Sequence, residues 1–250
     1  MKRISLIALM LATALSFSCG KTGKDTDEKG KKEKAKGLAV QIDGKFEDWA
    51  ALDPKVVSVA KNDPNSPWDA VNEIRCCADA DFVYYYIKYN SQVLNEQLEN
   101  KEELPIRLNL NTDGEFTSGY KSYSLDGYDF IVEGALGDQN GGFGEFAGTL
   151  HFRTMIDKDG EQKEGWKELI PSTGGLVIGK GAGNEYEILL ARELFDNAVP
   201  AGHKMGDVFY TGIRFYGNGG WGELSNLPNA SVDEGEGNGW AHLMKVTTTK

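Results

Sequence analysis

Five oxygen-bearing side chains, Asn111, Asp113, Glu115, Asp126 and Asp129, fall within one glycine-punctuated stretch. Calcium takes about six to eight oxygens in flexible geometry. An irregular calcium loop with Asp113, Glu115, Asp126 and Asp129 as ligands is therefore expected, without an EF-hand pattern. Asx side chains also close turns on their own backbone with no metal, and the sequence leaves both readings open. Asp157-Lys158-Asp159-Gly160 reads more simply as a hairpin turn. A second available chemistry is ring stacking. Trp68 in Ser66-Pro67-Trp68-Asp69 and Trp221 in Gly219-Gly220-Trp221-Gly222-Glu223 stand beside Pro or Gly, where a large ring is hard to bury. A flat ring there stacks on the C–H face of a sugar, and a neighbouring carboxylate such as Glu223 accepts from its hydroxyls. Trp166, after Gly165, is a third candidate. Loop tryptophans also fold back over a sandwich edge.

Catalytic patterns are sparse. The chain has no His-Glu-x-x-His zinc motif and no Gly-x-Ser-x-Gly elbow, and His151, His203 and His242 lie far apart in sequence. Ser58-Val59-Ala60-Lys61 matches Ser-x-x-Lys but falls in an expected strand, where Ser and Lys point to opposite faces. Gly179-Lys180-Gly181-Ala182-Gly183 is not part of a βαβ unit, so it does not read as a phosphate cradle. Met205 and His203 could in principle ligate haem, although a turn beside Gly206 accounts for both. Two carboxylates are enough for a glycosidase, and the 34 acidic residues from 38 onward do not exclude one. Non-catalytic binding remains the better expectation. Cys76 and Cys77 are adjacent, with α-carbons about 3.8 Å apart against a usual disulfide range starting near about 4.4 Å. They are expected as free thiols on opposite sides of a strand.

These residues must be positioned by strands. Short β-branched or aromatic runs are expected at 38–42, 56–60, 74–78, 82–89, 106–110, 128–136, 148–156, 166–170, 176–178, 186–190, 208–215 and 240–246. Residues 82–89 are apolar on both faces and belong in the middle of a sheet. One helix is expected at 91–104, ending before Pro105. Phe46 and Trp49, at i and i+3, suit one face of a helical turn capping the sandwich, and Trp49 reads as core. The Asp43-Gly44 pair supplies a tight turn. The expected fold is all-β: a two-sheet antiparallel β-sandwich, jelly-roll-like, with one short helix, over residues 38–250 as a single domain.

Several of these pieces occur in a family order. Ile42-Asp43-Gly44 followed by Trp49, the Asp79-Ala80-Asp81 turn before Tyr84-Tyr85-Tyr86, and Asn111-Thr112-Asp113-Gly114 with Thr117, Gly119 and Tyr120 resemble family 9 carbohydrate-binding modules. Gly127 to Gly134 and Glu185-Tyr186-Glu187-Ile188 leading into Ala191 to Phe195 continue the likeness. These modules are similar in fold to the DOMON group. The resemblance implies a jelly-roll-like sandwich, often with structural calcium, that holds a glycan or oligosaccharide on aromatic rings.

The N-terminus speaks to location. Lys2 and Arg3 precede an apolar run from Ile4 to Leu15, too short to span a bilayer, and Ser16-Phe17-Ser18 leads to Cys19. Residues 1–18 resemble a bacterial lipoprotein signal peptide with Cys19 as the lipidation site. Lys24-Asp25-Thr26-Asp27-Glu28 resembles the export tags of Bacteroidetes surface lipoproteins. Residues 19–37 are almost devoid of apolar side chains and read as a flexible charged tether. The expected location is the outer membrane, lipid-anchored, at the cell surface or facing the periplasm. Residues 1–37 carry +5 of a chain total of −11, leaving −16 on the remainder. That charge disfavours nucleic acid and contact with anionic lipid other than through the anchor, and it suits calcium. Docking of an envelope protein partner is the alternative use of such a domain.

Overall fold

The computed structural model describes residues 37–66, 68–116, 127–138, 140–152, 167–170, 174–198, 204–217, 223–229 and 243–250. The expected signal peptide, Cys19 and nearly all of the tether lie outside this set. Strands are numbered in chain order. Sheet A contains β1 (Ser58–Lys61), β2 (Val71–Ala78), β3 (Phe82–Tyr89), β8 (Val177–Ala182) and β9 (Glu185–Ala191) in the order β1-β2-β3-β9-β8. Sheet B contains β4 (Pro105–Asn111), β5 (Phe130–Gly137), β6 (Phe143–Phe152), β7 (Lys167–Ile170), β10 (Val208–Tyr216) and β11 (Glu223–Leu227) in the order β11-β10-β4-β5-β6-β7. A final strand, β12 (Met244–Thr247), pairs with the first half of β10, and β11 pairs with its second half. All these pairings are antiparallel. The chain is an all-β two-sheet sandwich, and these elements belong to the unit Ala35–Lys250.

Alternation builds the core. Val83, Tyr85, Ile87 and Tyr89 of β3 face the main core between the sheets, together with Ile106, Leu108 and Leu110 of β4. The intervening Tyr84 and Tyr86 face the opposite side of sheet A, so β3 is buried on both faces, as its composition demands. Each such large side chain contributes about 1.5–3 kcal/mol when removed from water. The neighbouring thiols divide the same way, Cys76 into the main core and Cys77 into the second cluster, and both are free.

The second cluster lies under an N-terminal cap. Helix α1 (Glu47–Ala51) brings Trp49 onto Tyr86, with ring centroids 5.7 Å apart, and Phe46 meets the same ring at 5.8 Å. Trp49 is core, as its spacing suggested. The cap is held by two carboxylates, Glu187 of β9 and Asp79 of the β2–β3 turn. Glu187 accepts from the Asp43 and Gly44 amides at 2.7 Å each and from Trp49 Nε1 at 3.3 Å. Asp79 accepts from the Leu38 amide and the Tyr84 hydroxyl, both at 3.0 Å, on one oxygen. Its other oxygen closes the β2–β3 turn by accepting from the amides of Asp81 and Phe82. Gly44 turns with φ +78°, a conformation that suits glycine.

Several boundaries differ from expectation. Residues 38–42 form no strand, because their amides bond to the side chains of Asp79 and Asp48 rather than to a neighbouring strand. Among the described residues, α1 forms at the expected helical turn, α2 (Ser91–Glu99) is shorter than expected, and α3 (Glu193–Ala198) was not expected. Helix α2 is capped by Asn90 and ends well before residue 104, where Lys101 and Leu104 take positive φ and Leu104 enters the core. The strand expected at 176–178 runs on through Gly179 and Gly181, as β8 spans Val177–Ala182. Strand β11 was not expected at all, since Glu-Leu-Ser-Asn-Leu lacks β-branched residues.

Candidate functional site

The outer face of sheet B carries a row of polar side chains. On β4, Leu108 and Leu110 point into the core, so Arg107, Asn109 and Asn111 point out. Register places Glu133 beside Arg107 on β5, and Arg214 beside it on β10. His151 of β6 and Asn226 of β11 extend the row to either side. An outward face of a sandwich is ordinarily wet, yet Asn109 and Asn226 are fully buried and Arg214 is only 6% exposed. Arg107, Glu133 and His151 keep 14–20% of their side-chain surface.

Charges in the row are ordered. Arg107 Nε donates to Glu133 Oε1 at 2.6 Å, with its terminal nitrogen closing a second contact to the same oxygen. His151 Nε2 meets Glu133 Oε2 at 2.9 Å, so both carboxylate oxygens are engaged. Arg107 also lies over the ring of Tyr216 at 5.7 Å. Behind the row, Tyr85 of sheet A bonds Thr211 Oγ1 at 2.8 Å, and that hydroxyl donates to the Asn109 carbonyl at 2.8 Å. The backbone at Asn109 is thus fixed across the sandwich, while its carboxamide oxygen and nitrogen, both buried, have no hydrogen-bond partner. A buried amide without partners costs about 1–3 kcal/mol.

At one end of the row stands an aromatic pair. Tyr210, on the same face of β10 as Arg214, packs edge-to-face with Phe116 at 4.8 Å. Phe116 is 41% exposed and Val208, two residues before Tyr210, is 37% exposed. Gly212 separates Tyr210 from Arg214 and lies opposite Asn109, so no side chain of β10 stands over the carboxamide.

The residues expected from sequence distribute differently. Trp68 is half-buried and its amide donates to Ser66 Oγ at 3.2 Å. Its loop is tied to the end of β11, with Asn229 Oδ1 accepting from the Asp63 amide and Asn229 Nδ2 donating to Asn62. Glu223 begins β11, paired in register with Tyr216. Trp166, Trp221 and Asp126 lie outside the described residues, as do His203, Asp157 and Asp159. Asp129 is buried, and its Oδ2 accepts from the amide and hydroxyl of Thr112, at 2.8 and 3.1 Å. Asp113 Oδ1 accepts from the Glu115 amide at 2.8 Å, and Asn111 Oδ1 from the Gly114 amide at 2.8 Å. These oxygens close the turn after β4, which is the turn-forming use open to Asx residues. Among the described residues no three acidic, His or Cys side chains come together as a metal group. Ser58 and Lys61 both lie in β1, and Met205 packs in the main core.

Arg107, Asn109, Glu133, His151, Arg214, Asn226 and the Phe116–Tyr210 pair were missed by sequence reasoning. Their signal was present as the alternation Ile106-Arg107-Leu108-Asn109-Leu110-Asn111, which reads as an ordinary solvent face. Among the described residues no helix is long and apolar enough to cross a membrane. No protein-family model matches this chain, and no curated protein sequence matches it significantly.

Proposed function

We propose that this protein is a lipid-anchored envelope protein that binds carbohydrate without catalysis on the outer face of sheet B. The observation that carries this reading is the Asn109 carboxamide, buried and without partners, in a row of guanidinium, carboxylate and imidazole groups that ends in an exposed aromatic pair. Sugar hydroxyls both donate and accept, which matches a carboxamide flanked by charged groups, and Phe116 with Tyr210 offers the apolar surface for a C–H face. Both Glu133 oxygens are engaged by Arg107 and His151, which supports holding over hydrolysis. In this reading Trp68 remains a second candidate for ring stacking, as expected from the sequence. Calcium is proposed at the turn after β4, where Asp113, Glu115 and Asp129 would supply carboxylate oxygens and fix the loop that bears Phe116.

A glycan panel probed with the full chain in detergent, with calcium and with chelator, tests the proposal. Binding that drops at least about tenfold in Tyr210→Ala and Asn109→Leu supports the sheet face. Binding lost in Trp68→Ala and kept in Tyr210→Ala moves the site to the loops. A folded protein that ignores the whole panel removes carbohydrate binding as the function and favours a protein partner.

A further inference from the structure

We infer that the protein has a second small-molecule site, a cleft beside α2 at the end of the main core, which takes a neutral, phenol-sized molecule bearing one hydroxyl group. The cleft encloses about 180 Å³ counted to its open mouth, and Leu104, Pro105, Phe215 and Leu224 line it together with Tyr89 and Gln97. Apolar cavities of about this size accept a benzene-sized molecule. Two polar atoms in this apolar lining are unexplained. Tyr89 is 2% exposed and Gln97 7%, and among the described residues neither the Tyr89 hydroxyl nor Gln97 Oε1 has a hydrogen-bond partner.

Those two atoms define the ligand's chemistry. Gln97 Nε2 donates to Glu102 Oε2 at 3.2 Å, which orients the carboxamide and leaves its oxygen as a bare acceptor. Burial, with Tyr186 adding to it, raises the Tyr89 phenol above its ordinary value, so it stays an O–H. A ligand hydroxyl complements both, donating to Gln97 Oε1 and accepting from Tyr89. Among the described residues lining the cleft none is charged, so an ion would enter without compensation.

Entry requires one wall to move, because the cleft is too narrow at every point for a water-sized sphere. The turn between α2 and β4 is the wall under strain. Lys101 and Leu104 take φ +56° and +50°, in the left-handed region that side chains disfavour. Such strain persists where neighbours enforce it. Here the Leu136 and Gly137 amides hold the Leu104 and Glu103 carbonyls at 3.1 and 2.7 Å. Displacing this turn would relieve both residues as the ligand satisfies the two buried atoms.

Calorimetry on the full chain in detergent would compare phenol with anisole, which accepts but cannot donate, and with benzene, which does neither; heats from detergent alone are subtracted. Phenol is expected to bind at least about tenfold more tightly than either of the others. Gln97→Met and Tyr89→Phe keep the apolar walls, and each is expected to bring phenol down to the level of benzene. The wild-type comparison of the three ligands needs no variant, so it stands even if a variant fails to fold. Equal affinity for all three, or no binding by any, overturns the proposal. A preference for phenol that survives in both folded variants overturns it as well, since the hydroxyl is then read elsewhere.

Discussion

Asn109 shows how far a residue's role can be read from its neighbours in sequence. Alternation with Leu108 and Leu110 fixes the face on which it lies, but nothing local says that this face is shielded from water or that the carboxamide meets no partner. Exchange for an apolar side chain of similar size removes that mismatch. Asn109→Leu is therefore expected to raise the free energy of unfolding by about 1–3 kcal/mol while abolishing carbohydrate binding; loss of stability in urea titration would assign it a structural role. Glu187 is the opposite case, a buried carboxylate with every oxygen occupied. Burial pushes its carboxyl above the ordinary range, and the hydrogen bonds from Gly44, Trp49 and Asp43 pull it only part of the way back. The folded state thus holds this proton more readily than the unfolded chain. Its contribution to stability is greatest below the unfolded value and falls as pH rises through the folded one. Compared with Glu187→Gln, the wild type should gain stability as pH drops through that acid window, and a difference flat with pH would exclude this. Trp49, Asp79 and the cysteine pair were legible because each role follows from local spacing, turn chemistry or covalent geometry.

At the scale of elements, glycine is the least legible residue and here one of the more consequential. The strand expected at 176–178 stops short of Gly179 and Gly181, yet these glycines let β8 lie against Tyr186, Phe143 and Phe146. A Cβ on Gly181 would stand 2.6 Å from Phe143 Cδ2 and closer still to Tyr186, and one on Gly179 would stand 2.7 Å from Tyr186 Cε1. Gly181→Ala is expected to destabilise the protein by about 1–3 kcal/mol through overpacking, measured by thermal unfolding. Gly183, with open space around it and φ +62°, should show only the smaller backbone penalty. Strands such as β3 were readable because their apolar residues exceed what one face needs. Strand β11 was not, because its place is set by pairing with β10 and its own residues carry little preference.

For the whole molecule, the sandwich could be read from strand number and alternation, whereas the side on which the N-terminal segment docks depends on Asp79 and Glu187, distant in sequence. That docking shields a thiol. Burial pushes the Cys77 thiol up to about 12, with Asp79 and Asp48 adding to it, and burial in the main core, with Cys77 adding to it, raises Cys76 as well. Removing residues 1–36 should leave the melting temperature unchanged and both thiols inert to an aromatic disulfide reagent. Removing residues 1–52 should make Cys77 react while Cys76 stays silent, and equal protection of both would show that the cap is not their shield.

Leu38 enters on the outer face of sheet A, and the polar row lies on the outer face of sheet B. In a protein held at its N-terminus and gripping a ligand on the far side, tension crosses the full thickness of the sandwich. It reaches the Leu38–Asp79 bond first and the Glu187 bonds next, one after another as in a zipper opened from its end. The strands beyond are loaded only after the cap has peeled. With the proposed anchor and the proposed binding face, the cap would be a length of slack that yields before that face is deformed.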